Sequence, residues 1–114
     1  MKLAAEFLQQ NIHVFAPVNY TSRILEKMEL PSLEAQRTVI MPYLFEFLKV
    51  SKGLIVVMLE GWEKSWGVAQ ELKYCRENGI PVYTYHSWQT YNDLSEIISL
   101  PLDQTQIYQL LHAA

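Results

Sequence analysis

Hydrophobic positions along this chain follow helical spacing in some stretches and unbroken runs in others. Leu3, Ala4, Phe7 and Leu8 recur at helical spacing, which predicts a helix over residues 2–10 that Asn11 can end. IHVFAPV, Ile12–Val18, is a short apolar, β-branched and aromatic run and reads as a strand. Residues 19–32 are mixed, with one or two helical turns expected around Ser22–Met28 and a loop at Pro31. SLEAQRTVIMPYLFEFLKVSKG then reads as a helix with Ser32 as its N-cap. Pro42 falls inside it. A proline there has no N–H to give and crowds the preceding turn, so a kink or break is expected near Met41.

GLIVVML, Gly53–Leu59, is apolar on both faces, the pattern of a strand in a parallel sheet covered on both sides. Ser65 can cap a helix over Trp66–Glu77, with Val68, Leu72 and Cys75 on one buried stripe. Asn78-Gly79 suits the end of that helix, and IPVYTYH, Ile80–His86, is a third strand. SWQTYNDLSEII suggests a loop and a short helix. Pro101 breaks it, and Asp103 can cap a last helix through Leu111. Strands alternating with helices predict an α/β fold: an open parallel sheet, flavodoxin- or Rossmann-like, with three recognisable strands flanked by helices. Ligands of such sheets sit beyond the C-terminal ends of the strands.

Composition narrows the function classes. The 114 residues suffice for one domain, 1–114, and half of them are hydrophobic, enough for a core. The net charge is -3 and no cluster of Lys or Arg exceeds two residues, which argues against DNA or RNA as a partner. No apolar run is long enough to span a membrane. MKLAAEFLQQ is interrupted by Glu6, Gln9 and Gln10 and reads as an amphipathic helix rather than a signal peptide. A single cysteine, Cys75, allows no internal disulfide and fits the cytoplasm; on its buried stripe it reads as an inert core thiol. His13, His86 and His112 have no metal-ligand spacing, and neither GxxxxGK[ST] nor GxGxxG occurs, so no metal and no cofactor is implied. Tyr83, Tyr85 and Tyr91 read as packing residues.

The chemistry concentrates in GWEKSWGVAQE, Gly61–Glu71, at the expected strand-end edge. Gly67 and Glu71 are four residues apart and share a helix face, so the glycine leaves space beside the carboxylate. The start of the helix favours negative charge and is expected to keep that carboxylate ionised. Trp62 and Trp66 can stack on a flat ring, and Glu63 and Ser65 can hydrogen-bond a sugar or a base. The same residues also have a plain structural explanation. A glutamate in the first two turns compensates the helix dipole, Gly61 can serve the turn alone, and tryptophans at strand ends commonly edge a core.

LIVVMLEGWEKSWGVAQELKYCRENGIPVY resembles the nucleoside 2-deoxyribosyltransferase-like superfamily, closest to its small bacterial and phage branch with a GWxxSxGxxxE motif after a strand and GxPV after the helix. The matching positions are Gly61, Trp62, Glu63, Ser65, Gly67, Glu71, Gly79, Pro81 and Val82. The resemblance implies that Glu71 is a nucleophile that attacks the anomeric carbon of a 2-deoxyribonucleoside. It further implies that Gly61, Trp62, Glu63, Ser65, Trp66 and Gly67 line the substrate site. A nucleoside or nucleotide would then be the small-molecule partner and a homo-oligomer the working form. The transferases carry an Asp two residues before the motif glycine, where this chain has Ser65. They carry another Asp on the helix before the third strand; Leu44 and Phe45 stand near that position here, and Glu46 is the nearby carboxylate. The family also opens on a strand that this sequence lacks, so the domain is expected to be N-terminally truncated relative to it. Two alternatives stay open: a non-catalytic nucleotide-binding module, and an oligomerisation domain of the same fold.

Overall fold

The computed structural model of the chain describes residues 2–15 and 24–113. They group into two compact units, Met1–Phe47 and Leu48–Ala114. In the first, α1 (Lys2–Gln9) ends where Asn11 turns left-handed, at φ 61, and its last carbonyls are taken by the next N–H groups. Phe7 is the buried residue of its apolar set, whereas Leu8 points to water. A helical turn occupies 24–28, within the stretch expected to be partly helical. α2 (Leu33–Val50) starts as the sequence indicates, with Ser32 Oγ accepting the Ala35 N–H at 3.1 Å. Of the kink or break expected near Met41, the break does not occur. α2 runs unbroken through Pro42, because the missing proline N–H forfeits one bond in a helix long enough to keep its others. Phe15 stacks on Phe47 at 4.9 Å between ring centroids, and Tyr43 meets Phe47 edge-on at 5.1 Å.

The strand expected at Ile12–Val18 does not form over its described part. Residues 12–15 carry no ladder, and the Ile12 N–H is committed to the Phe7 carbonyl at 2.9 Å; the remainder lies outside the described residues. The sheet of the described residues therefore has two strands, not three: β1 (Leu54–Met58) and β2 (Val82–His86), parallel and in register from Leu54 beside Val82 to Met58 beside His86. Both are shorter than the apolar runs that predict them. Ile80 gives its N–H to the Cys75 carbonyl at 3.0 Å, Pro81 has none to give, and the Leu59 N–H turns back to Val57. At the far edge of β2, the Leu102 N–H bonds the Val82 carbonyl at 2.8 Å. Together with its helices this is a mixed helix-and-strand fold with a two-stranded parallel sheet flanked by helices.

Between the strands lies α3 (Trp66–Asn78), ended by Gly79 at φ 66 with its N–H on the Cys75 carbonyl. α4 (Gln104–Ala113) follows, and its start is a reciprocal cap. Asp103 accepts the Gln106 N–H at 2.8 Å while Gln106 accepts the Asp103 N–H at 2.9 Å. Leu72 and Cys75 from α3, Ile107 from α4, and Val56, Met58 and Val82 from the sheet form the core with Leu48. Leu72 and Cys75 are fully buried, as their stripe requires, and Val68 packs against the same cluster. Burial of a leucine such as Leu72 contributes on the order of 2 kcal/mol. Arg76 sits over the Tyr108 ring at 5.0 Å and joins the two helices on their outer side.

Candidate functional site at the strand ends

β1 stops at Met58, beside His86, the last residue of β2. The chain leaving β1 reaches Gly61 at φ 89, a left-handed conformation that favours glycine, and enters a single 3-10 turn, Trp62–Lys64. Ser65 then caps α3 with Oγ accepting the Val68 N–H at 3.3 Å. That bond uses an oxygen lone pair and leaves the hydroxyl proton to donate. Glu63 is half-buried on the 3-10 turn. Trp62 packs against the core cluster, so much of its ring is a structural surface. Trp66, at the first position of α3, stays 36% exposed. A Cβ placed on Gly67 would meet nothing nearer than Ser65 Oγ, at 3.9 Å. The glycine is thus not demanded by packing or by backbone angle, and the space beside it is open.

One turn further on, the Glu71 side chain is half-buried, and burial pushes its carboxyl up from 4.5 to about 7. The expectation that the helix start keeps this carboxylate ionised is reversed. Glu71 is the sixth residue of α3, beyond the first turn in which the dipole acts, so desolvation decides. Cys75, a turn later, is pushed up to about 12 by its own burial and then by the Glu71 charge, which leaves an unreactive thiol.

The second strand end contributes groups that the sequence pattern did not single out. His86 gives its backbone N–H to Tyr91 Oη at 2.9 Å, and its Nε2 lies 3.3 Å from Thr84 Oγ1. Its Nδ1 is buried and has no partner among the described residues. Ser87 Oγ donates to the Met58 carbonyl at 3.1 Å and ties this loop to the end of β1. Tyr91 also stacks on Tyr85 at 5.1 Å, so it both packs and hydrogen-bonds. The only sequence signal for this cluster is its place after a strand, at the edge where α/β ligands sit. Among the described residues no three His, Cys, Asp or Glu side chains gather as metal ligands, and no helix is long and apolar enough to cross a membrane.

These features define a βαβ unit, β1–α3–β2, with polar and aromatic residues following the end of each strand. Residues 2–87 match the family described as Domain of unknown function (DUF1937), and the chain belongs to that family. No curated protein and no solved structure matches it.

Proposed function

We propose that this chain handles a nucleoside or nucleotide and cleaves or exchanges its N-glycosidic bond, with Glu71 as nucleophile. The carrying observation is a half-buried carboxyl set one helical turn beyond a glycine at which an added Cβ would meet no side chain nearer than Ser65, whose Oγ would be 3.9 Å away. In the reaction, a Glu71 oxygen bonds to C1′ as the C1′–N bond breaks. The electron pair of that bond leaves with the base, which takes a proton from solvent. Water or the nitrogen of a second base then attacks C1′ and releases the carboxylate. The transition state carries positive charge on the sugar, so a carboxylate in a poorly solvated place stabilises it strongly. Ser65, with its hydroxyl proton still free to donate, and Glu63 orient the sugar or base; Trp66 is the stacking surface of this loop, with Trp62 as its backing.

On this reading the fold is an open parallel sheet of the flavodoxin or Rossmann kind, of which β1–α3–β2 is one unit. The protein works in the cytoplasm as a homo-oligomer and needs no cofactor. The resemblance of the Gly61–Val82 segment to the deoxyribosyltransferase-like pattern supports it. The test is chromatographic. Purified protein and Glu71→Ala are incubated with 2′-deoxynucleosides and their 5′-monophosphates, and free base is measured. Base from the wild type alone supports the proposal. No base from any of them, with the wild type folded, overturns it in favour of a binding module.

A further inference from the structure

Within the unit Leu48–Ala114 the two edges of the sheet are finished differently. The far edge of β2 is covered, since the Leu102 N–H bonds the Val82 carbonyl at 2.8 Å. The far edge of β1 has no strand beside it among the described residues. The Leu54 N–H takes the Pro81 carbonyl at 2.9 Å, and Leu54 pairs with Val82 in parallel register. That fixes the alternation: Leu54, Val56 and Met58 turn their backbone groups to β2, so Ile55 and Val57 turn theirs to the open edge. The Val57 carbonyl accepts the Leu59 N–H at 2.9 Å and keeps a second lone pair. Ile55 and Val57 are half-buried, so neither is sealed in the core. Natural sheets blunt such an edge with a charge, a proline or a bulge. LIVVM has neither charge nor proline, and its register with β2 is unbroken.

We propose that this edge is an interface between two copies of the chain, in which β1 pairs antiparallel with β1 of the partner about a twofold axis at Val56. A strand edge that meets its own copy must be complementary to its own reverse. In this register Ile55 gives its N–H to the partner's Val57 carbonyl and its carbonyl takes the partner's Val57 N–H, and the axis repeats both bonds. The charges flanking the strand select the same register. Lys52 stands four residues before Val56 and Glu60 four residues after it, both exposed, so each Lys52 comes opposite the partner's Glu60. Moving the axis to Ile55 or Val57 loses that match, and in-register parallel pairing brings like charges together. A second copy therefore fits this edge in donors, acceptors and charge. Pairing joins the strands into one continuous sheet, β2–β1–β1–β2. It stops at two copies because Leu102 already occupies the outer edge of β2. The inference stands without the Glu71 chemistry and supplies the homo-oligomer of that reading with its contact surface.

The test is sedimentation of the full chain at low salt over a range of concentrations. The proteins are the wild type, Lys52→Glu, Glu60→Lys, the double exchange of both, and Val57→Pro. The wild type is expected to be a dimer that dissociates on dilution. Each single reversal sets like charges opposite each other at both ends of the pairing and should raise the dimer Kd about tenfold. The double exchange restores opposite charges and should restore the wild-type Kd. Val57→Pro removes an N–H that the β1–β2 ladder does not use, so it should leave a folded monomer with a cooperative unfolding transition. If that variant does not fold, the charge exchange, made on exposed side chains, decides alone. A wild type that stays monomeric overturns the interface and leaves the edge to a strand of another protein. A dimer indifferent to the single reversals, a dimer weakened as much by the double exchange, or an assembly that grows beyond two copies also overturns it. Base release from 2′-deoxynucleoside 5′-monophosphates is read on the same samples. Release by a monomeric wild type keeps the nucleoside reading while the interface falls. A charge-dependent dimer without release does the reverse.

Discussion

Glu71 lies one helical turn before Cys75 on α3, and the charge of its carboxylate adds to burial in raising the thiol to about 12. Both groups therefore resist ionisation. The thiol should behave as core: Cys75 in the folded protein is expected to stay unmodified by a thiol reagent at pH 8 and to react only as fast as the domain opens. Fast stoichiometric labelling under native conditions would contradict its full burial.

Stability should depend on pH through Glu71. Its folded carboxyl titrates at about 7 against 4.5 for the free group, so the folded state holds the proton more tightly. That contribution is fully present below pH 4.5 and is lost as pH rises through 7. Its size is no more than about 3 kcal/mol, less in proportion to the water that still reaches the half-buried side chain. Glu71→Gln is expected to flatten this slope and to be the more stable protein at pH 8. Denaturant midpoints between pH 5 and 8 check it; parallel slopes in both proteins would contradict it.

Activity should move the other way. The proposed nucleophile must be ionised, so kcat/KM for base release is expected to rise with pH and level off above an apparent value of about 7, not near 4.5. A profile flat from pH 5.5 to 8 would place the essential group elsewhere.

Two glycines should respond in opposite ways. A Cβ on Gly53 would lie 2.7 Å from the Tyr83 ring and 3.0 Å from the Pro81 carbonyl oxygen, so Gly53→Ala is expected to destabilise by about 1–3 kcal/mol. Gly67→Ala has room, and helix propensity should make it neutral or more stable by about 0.5 kcal/mol. If the open space admits substrate, the same Gly67→Ala lowers kcat/KM. Unchanged turnover in a folded Gly67→Ala would show that the space is not used.

Local punctuation was the most legible part of the fold. Ser32, Ser65, Gly79 and Asp103 act as the helix boundaries that their side chains and their order imply, since capping depends on a few adjacent residues. The buried stripe through Leu72 and Cys75 followed from helical period alone. What failed needed partners distant in the chain. Ile12 looks like a strand residue, but its N–H is already spent on the cap of α1. Gly53 looked like the first residue of a strand; its reason is the Tyr83 ring across the sheet, thirty positions away. At the site, the glycine-to-glutamate spacing was readable, but the burial that raises Glu71 was not, because desolvation is set by whatever packs over the helix. His86 was invisible for the same reason: an unpartnered ring nitrogen is a property of its surroundings.

The most direct test of the central claim is to trap the sugar on the protein. A 2′-fluoro-2′-deoxyarabinonucleoside slows both steps, the second one more when an ester forms, so the protein is mixed with it and its intact mass and peptides are measured. The account predicts a sugar adduct on the peptide that contains Glu71, absent in Glu71→Gln and discharged when a second base is added. Base release from ordinary nucleosides with no adduct, or with an adduct on another side chain, would contradict Glu71 as the nucleophile.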